Sequence, residues 1–148
     1  MSDDLRSLYQ ETILDHGKRP RNFGALRGAT HHARGHNPLC GDRLSLHLRV
    51  DDDRVAEARF EGAGCAISTA SASLMTEALR GKSVHEAREL FDGLHALLTG
   101  EGEPAEDLGK LSVFSGVRSY PLRVKCATLA WHTLVAALDG EEEATTED

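Results

Sequence analysis

The chain has 148 residues, the size of one domain, and at that length roughly two-thirds of the surface an unfolded chain exposes can be buried. Lys plus Arg number 17 against 24 Asp plus Glu, a net charge of −7, which excludes binding to nucleic acid or an anionic membrane driven by bulk charge. No apolar run approaches the ~20 residues of a membrane span, the start Met1-Ser2-Asp3-Asp4 is acidic rather than leader-like, and three cysteines are an odd set for a disulfide framework. The expectation is a cytoplasmic protein.

Residues 3–16 are predicted as a helix, with Asp3 or Asp4 as its cap and Leu5, Leu8, Tyr9, Thr12 and Ile13 on one stripe. Gly17 is read as its stop. Residues 29–36 are read as an edge strand. In residues 43–50, Leu44, Leu46, Leu48 and Val50 alternate with polar residues, the period of a half-buried strand. Asp51-Asp52-Asp53 reads as a turn, and Ala56, Ala58 and Phe60 alternate in a second strand over 54–61, so the pair forms an antiparallel hairpin. After Gly62-Ala63-Gly64 a helix is expected from Ala66 to Arg80. Ser83 and Glu86 form a capping box that opens a helix to Leu98. A short helical turn is expected at 107–114. Pro121 opens a last helix to Asp139, with Leu122, Leu129, Leu134 and Leu138 on its apolar side. The order of elements predicts an α+β fold, a small antiparallel sheet of about three strands packed against several helices. Residues 1–140 form one domain, and residues 141–148 an acidic tail expected to be disordered.

The cysteines lie at element boundaries. Cys40 sits in the turn-rich run Asn37-Pro38-Leu39-Cys40-Gly41-Asp42, two residues before a carboxylate. Cys65 sits where a strand gives way to a helix, beside unpaired N–H groups and the positive end of the helix dipole. Cys126 follows Arg123-Val124-Lys125 near the start of the last helix. Buried structural thiols, a nucleophile and a metal site are the three readings. Three thiolates with the Asp42 carboxylate would make a tetrahedral set suited to zinc. No C-x-x-C pair is present, so spacing alone does not decide. His31, His32 and His36 lie just upstream of Cys40 and compete for the fourth ligand position. Ser68 to Ser73 lacks a G-x-S-x-G elbow and reads as small residues for close packing.

Three segments taken together resemble the U-type Fe–S cluster assembly proteins, the IscU, SufU and NifU N-terminal-like family. They are Asn-Pro-Leu-Cys-Gly-Asp at 37–42, Gly-Ala-Gly-Cys-Ala-Ile-Ser at 62–68 and Arg-Val-Lys-Cys-Ala-Thr-Leu-Ala-Trp at 123–131. The likeness runs from the first helix to about Leu138. It implies zinc held by Cys40, Asp42, Cys65 and Cys126. It implies a zinc-dependent sulfurtransferase that accepts persulfide sulfur from a PLP-dependent, SufS-like cysteine desulfurase and passes it to a SufBCD-like assembly complex. The sister branch would instead carry a [2Fe–2S] cluster on a scaffold. Its members place His before the third cysteine where this chain has Lys125, and the long segment between Leu98 and Pro121 resembles a SufU insertion. A plain zinc-stabilised interaction module is a third class. Among the four ligands, Cys40 on its Pro/Gly loop moves most cheaply, so it is the expected sulfur acceptor. Arg123, three residues before Cys126 on one helix face, is expected to contact a partner or the persulfide. His36, Leu39 and Arg123 are expected to rim an exposed site.

Overall fold

The structure is a computed structural model. It describes residues 2–38, 41–99, 111, 113, 114, 117 and 120–145, with the side chains of residues 2–9 and of Thr145 outside the description. In chain order the elements are α1 (Ser2–Lys18), β1 (His31–Asn37), β2 (Asp42–Asp51), β3 (Arg54–Ala63), α2 (Ala66–Leu79), α3 (Val84–Thr99), α4 (Pro121–Leu138) and β4 (Glu143–Thr145). The architecture is α+β, as expected. The expected cap at Asp3 or Asp4, and the stripe positions Leu5, Leu8 and Tyr9, lie outside the described side chains, as do Leu39, Cys40 and most of 107–114 outside the described residues.

The sheet runs β3-β2-β1-β4. β1, β2 and β3 are antiparallel neighbours. Asp52 and Asp53 both have positive φ and link Asp51 to Arg54, a two-residue turn whose twist matches that of the strands it joins. The alternation of Leu44, Leu46 and Leu48 puts these side chains on one buried face. On β3 the buried residue near the turn is Val55 rather than the expected Ala56. A register shift between Arg49 and Val50 pairs Val50 with Val55 and rotates that end of the strand.

Further expectations are corrected. The sheet is mixed and has a fourth strand, because Glu143–Thr145 pairs in parallel with β1. Residues 143–145 of the acidic C-terminal segment form this strand. Composition predicted solvation, but α4 packs against β1 and delivers the chain to its edge, where the backbone of residues 143–145 pairs with Arg34–His36. The first helix continues through Gly17 to Lys18, and Leu122 is exposed rather than on the apolar side of α4. Gly17 packs closely against Ala66 at the start of α2, so tertiary contact overrides its weak helix propensity.

The helices cover one face of the sheet, with α4 against β1 and β2 and α2 against β3. Trp131, Leu129 and Leu134 of α4 share one buried hydrophobic cluster with Leu46 and Leu48 of β2. The Ser/Ala-rich α2 is largely buried. Ser71 Oγ donates to the Ala127 carbonyl at 2.5 Å and accepts the Trp131 indole N–H at 3.1 Å. These two bonds fix α2 to α4. Ser83 and Glu86 form the predicted capping box, each side chain accepting the other's backbone N–H at 3.0 Å. Where α3 meets α4, the rings of Phe91, His95 and His132 cluster with centroids 5.5–6.2 Å apart. Burial pushes the His132 imidazole below its ordinary value, and His95 adds to the effect. No helix among the described residues is long and apolar enough to cross a membrane.

Candidate metal centre

The β1–β2 hairpin ends in the pair Asn37 and Asp42, directly opposite each other across the two strands. Both side chains point to the helix-covered face, and both are fully buried. The Gly41 N–H donates to the Asn37 carbonyl at 2.9 Å, closing the turn. Gly41 has φ +71°, which a residue with a Cβ adopts only under strain.

Cys65 is the N-cap residue of α2. Its Sγ accepts the Ser68 N–H at 3.4 Å, the task an oxygen performs in an ordinary cap. Its own N–H donates to Asp42 Oδ1 at 2.9 Å, while Asp42 Oδ2 lies 3.8 Å from Cys65 Sγ. This contact requires a bare backbone beside it. A Cβ on Gly64 would stand 2.6 Å from Asp42 Oδ1. Cys126 lies in the second turn of α4 and is buried. Asn37 Nδ2–H points to its Sγ at 3.9 Å.

One carboxylate oxygen of Asp42 and the sulfurs of Cys65 and Cys126 therefore converge, all within 4.8 Å of one another. In a tetrahedral zinc site with bonds of about 2.1 Å to oxygen and about 2.3 Å to sulfur, the edges of the tetrahedron are roughly 3.6–3.8 Å. The observed 3.8 Å between Cys65 Sγ and Asp42 Oδ2 is such an edge. Two thiolates and a carboxylate are also the donor chemistry zinc takes. A buried carboxylate this close to two sulfurs needs positive charge or donors around it. The donor set fits the metal. Asp42 Oδ1, held by the Cys65 N–H, would orient the carboxylate so that Oδ2 is the ligand atom.

Of the expected ligands, Asp42, Cys65 and Cys126 are brought together, and Cys40 lies outside the described residues. The competing histidines are not part of the group. His32 and His36 are exposed residues of β1, alternating with inward-facing Ala33, Gly35 and Asn37, so they lie on the outer face of the sheet. For the same reason His36 does not rim the site on its helix side. Arg123 is exposed at the start of α4, with its guanidinium 4.6 Å above the Tyr120 ring. Site depth is mixed: Cys65 is exposed and Cys126 buried.

The family model for the NifU-like N-terminal domain matches residues 8–138. The chain belongs to this family. Among curated relatives of this NifU-like chain, the zinc-dependent sulfurtransferase SufU of Bacillus subtilis is 41% identical over 140 residues, covering 94% of this chain and 95% of that protein. The Fe–S cluster assembly scaffold protein IscU of Streptococcus pyogenes is 42% identical over 135 residues, covering 90% and 84%. A crystal structure from Fervidobacterium islandicum AW-1, described as a candidate Fe–S cluster assembly scaffold for the SUF system, superposes with a TM-score of 0.84. It is 37% identical and covers 90% of this chain and 98% of that one. The NifU-like chain is thus an Fe–S cluster assembly protein of the SufU/IscU kind.

Two site residues escaped the sequence reading. Asn37 was legible only as part of a turn-rich run, and its inward direction follows from strand register. Gly64 read only as part of the run between the second strand of the hairpin and the helix from Ala66. Its close approach to Asp42 appears only when the hairpin and α2 are brought together.

Proposed function

We propose that this protein is a zinc-dependent sulfurtransferase for Fe–S cluster biogenesis. It accepts persulfide sulfur from a PLP-dependent, SufS-like cysteine desulfurase in the cytoplasm and delivers it to a SufBCD-like assembly complex. The observation that carries this reading is the convergence of Asp42, Cys65 and Cys126 within 4.8 Å. Cys40, joined to Gly41 and two residues from Asp42, is the fourth zinc ligand of the proposal. Zinc, when bound, keeps its thiolates deprotonated and has no redox chemistry of its own.

The transfer is a thiol–persulfide exchange. The Cys40 thiolate attacks the outer sulfur of the desulfurase persulfide. The donor's S–S bond breaks, a new S–S bond forms at Cys40, and the desulfurase cysteine leaves as a thiolate, with no net oxidation. Cys65 and Cys126 are tied to helices, whereas Cys40 belongs to the Pro- and Gly-containing run 37–42, so Cys40 is the sulfur of the proposal that moves. Arg123, three residues before Cys126, is placed to meet the desulfurase or the incoming persulfide.

The second reading is a scaffold for a [2Fe–2S] cluster, favoured by the relatives named IscU. The same donors suit iron and sulfide. Lys125 in place of the scaffold branch's His weighs toward the sulfurtransferase. Desulfurase turnover with and without this protein, together with elemental analysis after aerobic purification, separates the two. The sulfurtransferase is colourless, contains zinc and stimulates turnover. A brown protein containing iron supports the scaffold, and a zinc protein without stimulation supports a plain interaction module.

A further inference from the structure

We propose that Asn37 is a positioning residue for Cys126, its amide N–H holding the buried sulfur in place so that Cys126 stays a fixed metal donor. The inference rests on the metal reading of the site. Its observations are independent of Cys40. Asn37 is fully buried, and a buried side-chain amide is almost always paired. Its Nδ2 lies 3.9 Å from Cys126 Sγ, across 89 positions of sequence. Strand register fixes this direction, because Asn37 and Asp42 form the last paired rung of the hairpin and face the same way.

The residue has a second connection. Its backbone carbonyl accepts the Gly41 N–H, directly before Asp42, its partner across the hairpin. Asn37 thereby connects the strand that carries Asp42 to the Cys126 sulfur. A hydrogen bond donated to a thiolate is charge-assisted. It withdraws electron density from the sulfur and makes it a weaker nucleophile. Groups that hydrogen-bond to metal ligands in this way typically matter 10–100-fold in metal affinity. The capped Cys65 sulfur and the amide-bonded Cys126 sulfur are thereby both held in place.

The test uses the full chain loaded with a spin-active cadmium isotope as a zinc substitute. Proton–nitrogen NMR of the wild-type protein is expected to show scalar coupling from cadmium to the β-protons of Cys65 and Cys126. It is also expected to show weaker coupling, through the sulfur, to the Asn37 side-chain amide proton. Coupling to the cysteines without coupling to Asn37 would overturn the inference and leave the metal reading standing. No coupling to the cysteines would overturn both. In a second arm, Asn37→Leu removes the donor while keeping the branching and heavy-atom count of the side chain, and Asn37→Gln keeps an amide. With cobalt bound, the sulfur-to-metal charge-transfer band of Asn37→Leu should move to lower energy and its metal affinity should drop about 10-fold or more, with Asn37→Gln recovering part of both. An unmoved band in folded Asn37→Leu would contradict the assignment. Should that variant fail to fold, the wild-type coupling decides alone.

Discussion

Cys65 and Cys126 bring the same side chain to one point, but the fold handles them differently. Cys65 is exposed and caps α2, with Ser68 N–H directed at its sulfur. Cys126 is buried within α4, and its sulfur faces the Asn37 amide. The first sulfur already has a task in the folding of the helix. The second sits where only a satisfied polar group is tolerated. The contrast teaches that one metal site can be built from a donor that the local backbone supplies and another that only tertiary packing supplies.

The largest expected effect breaks the site at either sulfur and asks whether the two differ. Cys65→Ser and Cys126→Ser should each lose zinc retention, from one metal per chain to little or none by elemental analysis. Their metal-free forms should diverge. Ser is a preferred N-cap, so Cys65→Ser keeps its melting temperature, whereas Cys126→Ser places a hydroxyl among buried groups and lowers it. In the wild type, chelation should lower the melting temperature by about 5–10 °C, if free zinc stood about 100-fold above its dissociation constant. Equal melting of the two apo variants would remove the distinction drawn between the sulfurs.

The next effect sharpens the carboxylate side. Gly64→Ala puts a methyl group against Asp42 Oδ1 and should weaken zinc binding about 10–100-fold in a competition assay with a chromogenic chelator. Unchanged affinity would mean that Asp42 Oδ1 and the Cys65 N–H do not set the carboxylate's orientation.

The pattern of what the sequence revealed follows the same local-versus-tertiary division. The capping box at Ser83 and Glu86, the β2 alternation and the turn at Asp52-Asp53 are short-range features, and each was readable from neighbours in sequence. The convergence of Asp42, Cys65 and Cys126 spans more than half the chain and had no spacing rule, so placement at element boundaries offered a metal site as one of three readings and the family resemblance selected it. β4 was missed because its pairing depends on where α4 ends. Asn37 and Gly64 were missed because register and close approach are properties of paired elements rather than of residue types.

Two changes away from the sulfurs should have smaller effects. Arg123→Glu reverses a charge at the start of α4 and should weaken stimulation of the desulfurase. Cutting the chain after Gly140 removes β4 but none of Asp42, Cys65 and Cys126, so stimulation should stay near the wild-type level. A dead truncation with a fully active Arg123→Glu would place the docking surface at the β1–β4 edge instead.

The smallest effect lies remote from the metal, where His132 packs against Phe91 and His95. Its folded-state value is depressed, so the unfolded chain binds more protons as pH falls below about 6.5. The stability His132 contributes is present above that pH and is lost as pH falls toward the lower folded value. His132→Gln should therefore show a flatter fall in melting temperature on acidification than the wild type. A slope as steep as wild type would show that another group governs it.

The most direct test of the central claim is mass spectrometry of the zinc-loaded protein after incubation with a cysteine desulfurase and cysteine, with peptide mapping under non-reducing conditions. The account predicts one added sulfur atom on the peptide containing Cys40, none on those containing Cys65 or Cys126, and none anywhere in Cys40→Ser. Sulfur accumulating on Cys65 or Cys126 in the zinc-loaded wild type, or a Cys40→Ser variant that still accepts sulfur, would contradict it.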